Sequence, residues 1–344
     1  RKQIKLVKIE AFFFPLIIVM IGISTIFTIY IGGIESYKGN ITTGNIAEFI
    51  IYINMLAWPV ASIGWITSIV QRAAASQQRI NDFLLIKSEI KNTNKKPTKI
   101  KANIHFRNVS LTYRNTNIKA LDNISFTIEE GKILGIFGKT GSGKSSIANL
   151  VCRMQDTTSG SILFNNIDIK DLNLFSLRSA IGYVPQDGYL FSGSIKDNIS
   201  FGTNNTDDNE LLKAIKKAEI IDEIKGFPNN METVIGERGV KLSGGQKQRL
   251  GIARAFYKNP DLFIFDDCLS AVDAIKEQKI LQNLKKESKG KTLIIISHRI
   301  TTIKEADHII VLDKGKIIEE GNHDSLLKIN GVYCHINTNQ NQSI

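Results

Sequence analysis

Two kinds of hydrophobic pattern divide the chain. Residues 11–34, "AFFFPLIIVMIGISTIFTIYIGGI", carry no charged side chain over 24 positions, and residues 49–70, "FIIYINMLAWPVASIGWITSIV", carry none over 22. An α-helix needs roughly 20 apolar residues to cross the hydrocarbon of a bilayer, so each run predicts a membrane span. Buried core helices can be equally apolar, but two such runs only 14 residues apart read as a membrane hairpin. Arg1, Lys2, Lys5 and Lys8 precede the first run, Arg72 and Arg79 follow the second, and the loop between holds Glu35, Lys38 and Glu48. The bias of Lys and Arg towards the cytoplasm puts both outer ends on that side. A signal peptide is shorter than this and is not followed by a second span. Pro59 and Asn54, both inside the second run, read as features of helix packing.

After the second run, "QRAAASQQRINDFLLIKSEI" predicts a cytosolic helical extension, and the lysine-rich residues 91–101, "KNTNKKPTKIK", predict a linker. From about residue 102 the pattern changes. "VSLTY" and "ISFTI" alternate apolar with polar residues and predict half-exposed strands, whereas "ILGIF", "LFIF" and "LIII" are unbroken apolar runs typical of parallel strands buried on both faces. "VLDKGKII" predicts a late hairpin, and the tail "NTNQNQSI" predicts a frayed end.

Composition adds exclusions. The formal charge is +11, but Lys and Arg are spread along the chain with few interleaved aromatics, which predicts a solvated basic surface and no nucleic-acid partner. Cys152, Cys268 and Cys334 stand alone, without the spacing of a disulfide framework or a zinc site.

The chemistry lies in the second region. "GKTGSGKSS", comprising Gly138, Lys139, Thr140, Gly141, Ser142, Gly143, Lys144, Ser145 and Ser146, follows directly on "ILGIF" and matches the phosphate loop. Backbone N–H groups of such a loop turn inward on phosphate oxygens, the next helix offers its positive end, Lys144 reaches the β- and γ-phosphates, and the Ser145 hydroxyl ligates Mg²⁺. ATP or GTP with Mg²⁺ is the implied ligand. "LFIFD" delivers Asp266 to a strand end, where a carboxylate holds the magnesium through water.

"LSGGQ", with Ser243, Gly244, Gly245 and Gln246, precedes a helical run, and here the sequence closely resembles the ATP-binding cassette family over residues 102 to about 335. The family's other motifs follow in order: Tyr113 in "LTY" for adenine stacking, Gln186 in "VPQ" for a magnesium contact that links the site to the membrane part, Asp273 in "SAVD", and the switch histidine His298 in "SHR". The resemblance implies ATP as the nucleotide. It also implies a shared site, in which the signature of one cassette closes the phosphate loop of a second. "ERG", with Glu237, resembles the exporter-type segment that reads the partner's membrane domain, and "SIVQRAAASQQRI" resembles the end of a sixth membrane helix. On this reading the chain begins at the fifth helix, with four helices outside it.

The fold class expected is an α-helical transmembrane segment, residues 1–90, joined through linker 91–101 to an α/β phosphate-loop NTPase at residues 102–344. Antiparallel-β and α-helical subdomains complete it. The function expected is that of the ATPase half of an exporter in the cell membrane, multi-pass, with its cassette cytoplasmic and its transported substrate unnamed.

One residue departs from the family pattern. The acid after Asp266 is normally glutamate, and here it is Asp267, one methylene shorter. A displacement on the order of 1 Å from productive geometry costs about a hundredfold in rate, so Asp267 predicts a weakened catalytic site beside intact nucleotide binding. With an intact signature, this favours a heterodimer over a competent homodimer. A soluble cassette ATPase would lack the two spans, and a nonfunctional remnant would lack in-frame helices upstream.

Overall fold

The computed structural model describes residues 2–203, 207–236 and 242–342. Contacts divide the chain into two units, Arg1–Ser88 and Glu89–Ile344.

The first unit is a transmembrane helical hairpin of α1 (Lys2–Tyr37) and α2 (Thr43–Leu84). Both helices overrun the apolar spans, because their flanks are rich in Lys, Gln and Ala, which keep the helical ladder going into water. The turn is closed by polar side chains: Glu35 accepts from Lys38 Nζ at 2.8 Å and from Asn40 Nδ2 at 2.6 Å. Thr42 and Asn45 form a reciprocal capping box at the start of α2. Neither apolar window has any buried residue, and Trp58 and Trp65 are exposed, so the hairpin presents its side chains outward as a lipid-facing segment does. Asn54 returns its amide to the Ile50 carbonyl at 2.8 Å, and α2 continues through Pro59.

The second unit contains strands β1 (Ile104–Tyr113), β2 (Ile118–Ile128), β3 (Ile133–Gly138), β4 (Ser159–Phe164), β5 (Ile167–Asp168), β6 (Ile181–Val184), β7 (Gly193–Ser194), β8 (Val234–Ile235), β9 (Leu262–Asp266), β10 (Thr292–Ser297), β11 (His308–Asp313) and β12 (Lys316–Gly321). Its helices are α3 (Lys144–Val151), α4 (Leu174–Ser179), α5 (Ile195–Ser200), α6 (Asp208–Lys217), α7 (Ile221–Lys225), α8 (Gly244–Lys258), α9 (Ala274–Glu287), α10 (Ile300–Ile303), α11 (His323–Ile329) and α12 (Val332–Gln342). One sheet has the order β12-β11-β3-β10-β9-β6 and is parallel except for the β11–β12 hairpin. A second, antiparallel sheet has the order β2-β1-β4-β5.

Period-2 alternation splits the parallel strands between two cores. Leu134, Ile136, Ile264, Ile294 and Ile296 pack with α3 and the antiparallel sheet. Phe137, Phe263, Phe265, Leu293 and Ile295 pack with α8 and the helical layer. Both faces of the sheet are covered, which is why β3, β9 and β10 read as unbroken apolar runs. Parallel register then aligns the carboxyl ends: Phe137 pairs with Ser297, and Ile296 with Asp266.

Residues 91–101 form neither helix nor strand, but their backbone and side chains are held on the cassette. Asn92 Oδ1 accepts from the Leu174 N–H at 2.9 Å, Asn94 Nδ2 donates to the Asp171 carbonyl at 3.1 Å, and the Asn94 carbonyl accepts from Asn173 Nδ2 at 2.7 Å. The tail departs from its expectation: α12 continues to Gln342, where the polar run predicted fraying. Its anchor is Tyr333, fully buried, edge-on to Phe137 with ring centroids 5.6 Å apart. Glu319 accepts from the Tyr333 N–H at 3.1 Å, satisfying a donor at the helix start.

Candidate active site

The phosphate loop runs from β3 into α3. Gly143 occupies the N-cap of α3 at φ +105°, and a Cβ there would stand 2.5 Å from the Ala120 carbonyl oxygen, so glycine is required on both counts. Lys144 curls over the loop and donates to the Gly138 carbonyl at 2.7 Å and the Lys139 carbonyl at 2.8 Å. Burial pulls its ammonium below the ordinary lysine range, while the Asp267 and Asp266 carboxylates act the other way. Lys139, Thr140 and Gly141 are exposed along the rim. Ser142 Oγ is buried without a hydrogen-bond partner, which fits a cradle that takes an anion, since an orphaned hydroxyl is costly unless a ligand satisfies it.

The acids meet this loop from the adjacent strands. Ser145 Oγ donates to Asp266 Oδ1 at 3.1 Å, and the Tyr183 hydroxyl donates to Asp266 Oδ2 at 3.2 Å. Burial lifts the Asp266 carboxyl above its ordinary range, and those two hydrogen bonds pull it down. The pair Ser145 and Asp266 supplies hard oxygen donors of the kind Mg²⁺ takes. Asp267 is nearly buried, with φ +47°, and its Oδ1 lies 2.9 Å from Nδ1 of half-exposed His298. Tyr113 is half-buried, and its hydroxyl is 2.9 Å from Ser146 Oγ, so the aromatic ring is tied to the loop's last serine.

The other predicted residues are distributed around this centre. Gln186 is exposed after β6, and its carbonyl accepts from Gln248 Nε2 at 3.2 Å. Ser243 is the exposed N-cap of α8, in a capping box with Gln246. Gly244 and Gly245 open the helix, and a Cβ on Gly245 would meet the Ala271 carbonyl oxygen at 2.6 Å, so the signature packs backbone to backbone on the "SAVD" turn. Asp273 caps α9 through the Lys276 N–H at 3.0 Å, a role within the chain's own helix. Glu237 lies outside the described residues.

Sequence reasoning missed the groups that tie these loops together. Gln248, buried, donates to the Gln186 carbonyl and to Ser270 Oγ at 3.3 Å, and accepts from the Ala271 N–H at 3.0 Å. Its spacing was visible: it follows Gly245 and Gly244 by three and four residues, on the same helix face. Arg299 donates to Glu277 Oε2 at 2.9 Å and to the Ser270 carbonyl at 3.1 Å, joining the switch loop to the same turn. Tyr183 carried no local signal.

A phosphate loop, a strand-end acid pair and a capped signature helix on one sheet define a phosphate-loop nucleotide-binding domain. Residues 121–270 match the family described as ABC transporter, which makes the second unit an ABC-type phosphate-loop ATPase domain. It is 39% identical over 335 residues, 97% of its length, to the probable multidrug resistance ABC transporter ATP-binding/permease protein YheI of Bacillus subtilis. It is 37% identical over 338 residues, again 97% of its length, to the multidrug resistance-like ATP-binding protein MdlA of Escherichia coli. The chain spans 57% and 56% of those two proteins. Among solved structures, a bacterial Atm1-family ABC exporter with ATP bound superposes with a TM-score of 0.74 at 32% identity, covering 94% of this chain and 57% of that one.

Proposed function

We propose that this chain is the ATP-hydrolysing half of an exporter, working with a second half-transporter in the lipid bilayer to move a substrate across it. The observation that carries the reading is the meeting of Lys144, Ser145, Asp266, Asp267 and His298 at the carboxyl edge of one parallel sheet, in a chain whose first unit is a transmembrane hairpin. Lys144 exchanges its loop carbonyls for the β- and γ-phosphates of ATP, Tyr113 stacks on adenine, and the loop N–H groups hold the phosphate oxygens. Ser145, Asp266 and Gln186 would hold Mg²⁺, which when bound would supply charge neutralisation for the transferring phosphoryl group. Asp267 orients the attacking water, and His298, fixed by Asp267 through Nδ1, contacts the γ-phosphate. The cassette is cytoplasmic, with the positive flanks of the two spans on its side.

The shortened Asp267 supports a site weaker than its partner's, and so a heterodimer. A competent homodimer is the second reading, supported by the Asp267–His298 contact of 2.9 Å, which shows the short carboxylate still engaged.

Ser243 and Gly244 belong to the partner's site on this reading, since both are exposed at the start of α8. Replacing both with bulky residues is expected to lower hydrolysis at the partner's phosphate loop by about tenfold or more, at unchanged ATP affinity in this chain. Mixed dimers with one silenced site measure this directly. Loss of ATP binding by the chain's own loop would contradict it.

A further inference from the structure

The loop that carries His298 is braced from the far end of the sequence. Gln340, in α12, donates from Nε2 to the His298 carbonyl at 2.8 Å and accepts at Oε1 from the Ile300 N–H at 3.0 Å. Ile300 is the first residue of α10, whose N-cap, Arg299, offers no side-chain cap. One amide side chain thus satisfies an orphan donor of a four-residue helix and fixes the histidine's own peptide, using both its donor and its acceptor.

The reach of Gln340 follows from how α12 is seated. Tyr333, Ile336 and Gln340 fall at i, i+3 and i+7, one face of a helix. Tyr333 is fully buried against Phe137, the residue before Gly138, and its hydroxyl lies 2.8 Å from His323 Nδ1. Ile336 packs on the same core. One end of α12 therefore grips the strand that enters the phosphate loop, and two turns later its other end grips the switch loop.

We propose that Gln340 is a positioning residue for His298, and that α12 holds the switch loop in register with the phosphate loop. The proposal rests on the reading of His298 as the γ-phosphate contact. Gln340 touches no nucleotide and acts through the His298 and Ile300 peptides, so its loss is expected to affect turnover and not ATP binding.

The test uses the full-length transporter assembled with its partner. In Gln340→Ala, amide exchange of nucleotide-free protein is expected to accelerate about tenfold at Ile300–Ile303 and to stay unchanged in Thr292–Ser297. Turnover falls roughly three- to tenfold while KM for ATP and the melting temperature are unchanged. Gln340→Glu keeps the acceptor for Ile300 but sets a carboxylate against the His298 carbonyl, so exchange protection is retained and turnover still falls. Unaltered exchange in Gln340→Ala, or a parallel loss of ATP affinity and melting temperature, overturns the proposal. Wild-type turnover in both variants overturns it as well. The exchange readout needs no nucleotide, so its failure is distinct from a failure of wild-type protein to bind ATP, which would sink the functional reading alone.

Discussion

Lys144→Ala is expected to abolish measurable Mg·ATP binding by the cassette. The ammonium already sits at the centre of the loop, 2.7 and 2.8 Å from the Gly138 and Lys139 carbonyls, and partial burial has stripped part of its hydration. A contact between this group and phosphate oxygens is charge-assisted and partly desolvated, each such bond contributing about 1.5–3 kcal/mol. Losing two weakens binding on the order of a hundredfold or more. Titration with a fluorescent nucleotide checks it, with the melting temperature as control, since the variant also removes the donor to two loop carbonyls. Affinity unchanged from wild type would remove the phosphate-loop assignment.

That site was legible because it is built from strand ends. The runs "ILGIF", "LFIF" and "LIII" read as buried parallel strands, the structure pairs them as neighbours, and parallel strands leave their carboxyl ends on one edge, where Lys144, Asp266 and His298 lie. What escaped was contact between distant loops made through single amides and hydroxyls. Gln248 binds two backbone groups and a serine from two segments, Tyr183 meets Asp266 from a neighbouring strand, and Gln340 lies in a run of polar residues that hides the face shared with Tyr333 and Ile336. Hydrophobic periodicity has no term for a side chain that packs by hydrogen bonds, so "NTNQNQ" reads as a frayed end where the structure has a helix.

The second large effect is expected at Asp267, where Glu in place of Asp should raise hydrolysis at this site about tenfold, equivalent to about 1.4 kcal/mol of barrier. The partners it needs, Lys144, Ser145, Asp266 and His298, are in position, and the added methylene extends the carboxylate towards the water. The same change has an opposite effect on the fold. Asp267 sits at φ +47°, a left-handed conformation that Asp tolerates better than longer side chains, so the variant is expected to lose on the order of 1 kcal/mol of stability. Faster hydrolysis with a lower melting temperature is therefore the expected pair of results. The rate must be read with the native partner present and its own catalytic acid removed, so that only this site reports. An unchanged rate, or wild-type homodimers that already match the variant, makes Asp267 a competent acid and removes the argument for a heterodimer.

The seating of α12 also gives the protein a built-in optical handle. Cys152 and Cys268 are buried, with thiols that burial pushes up to about 12 in the first and well above the ordinary range in the second, so neither supplies thiolate to an alkylating dye near neutral pH. Cys334 is partly exposed and adjoins Tyr333 on α12. Among the cysteines of this sequence a maleimide fluorophore should therefore favour Cys334, without any engineered cysteine, and its emission becomes a reporter on the surroundings of the C-terminal helix beside Tyr333.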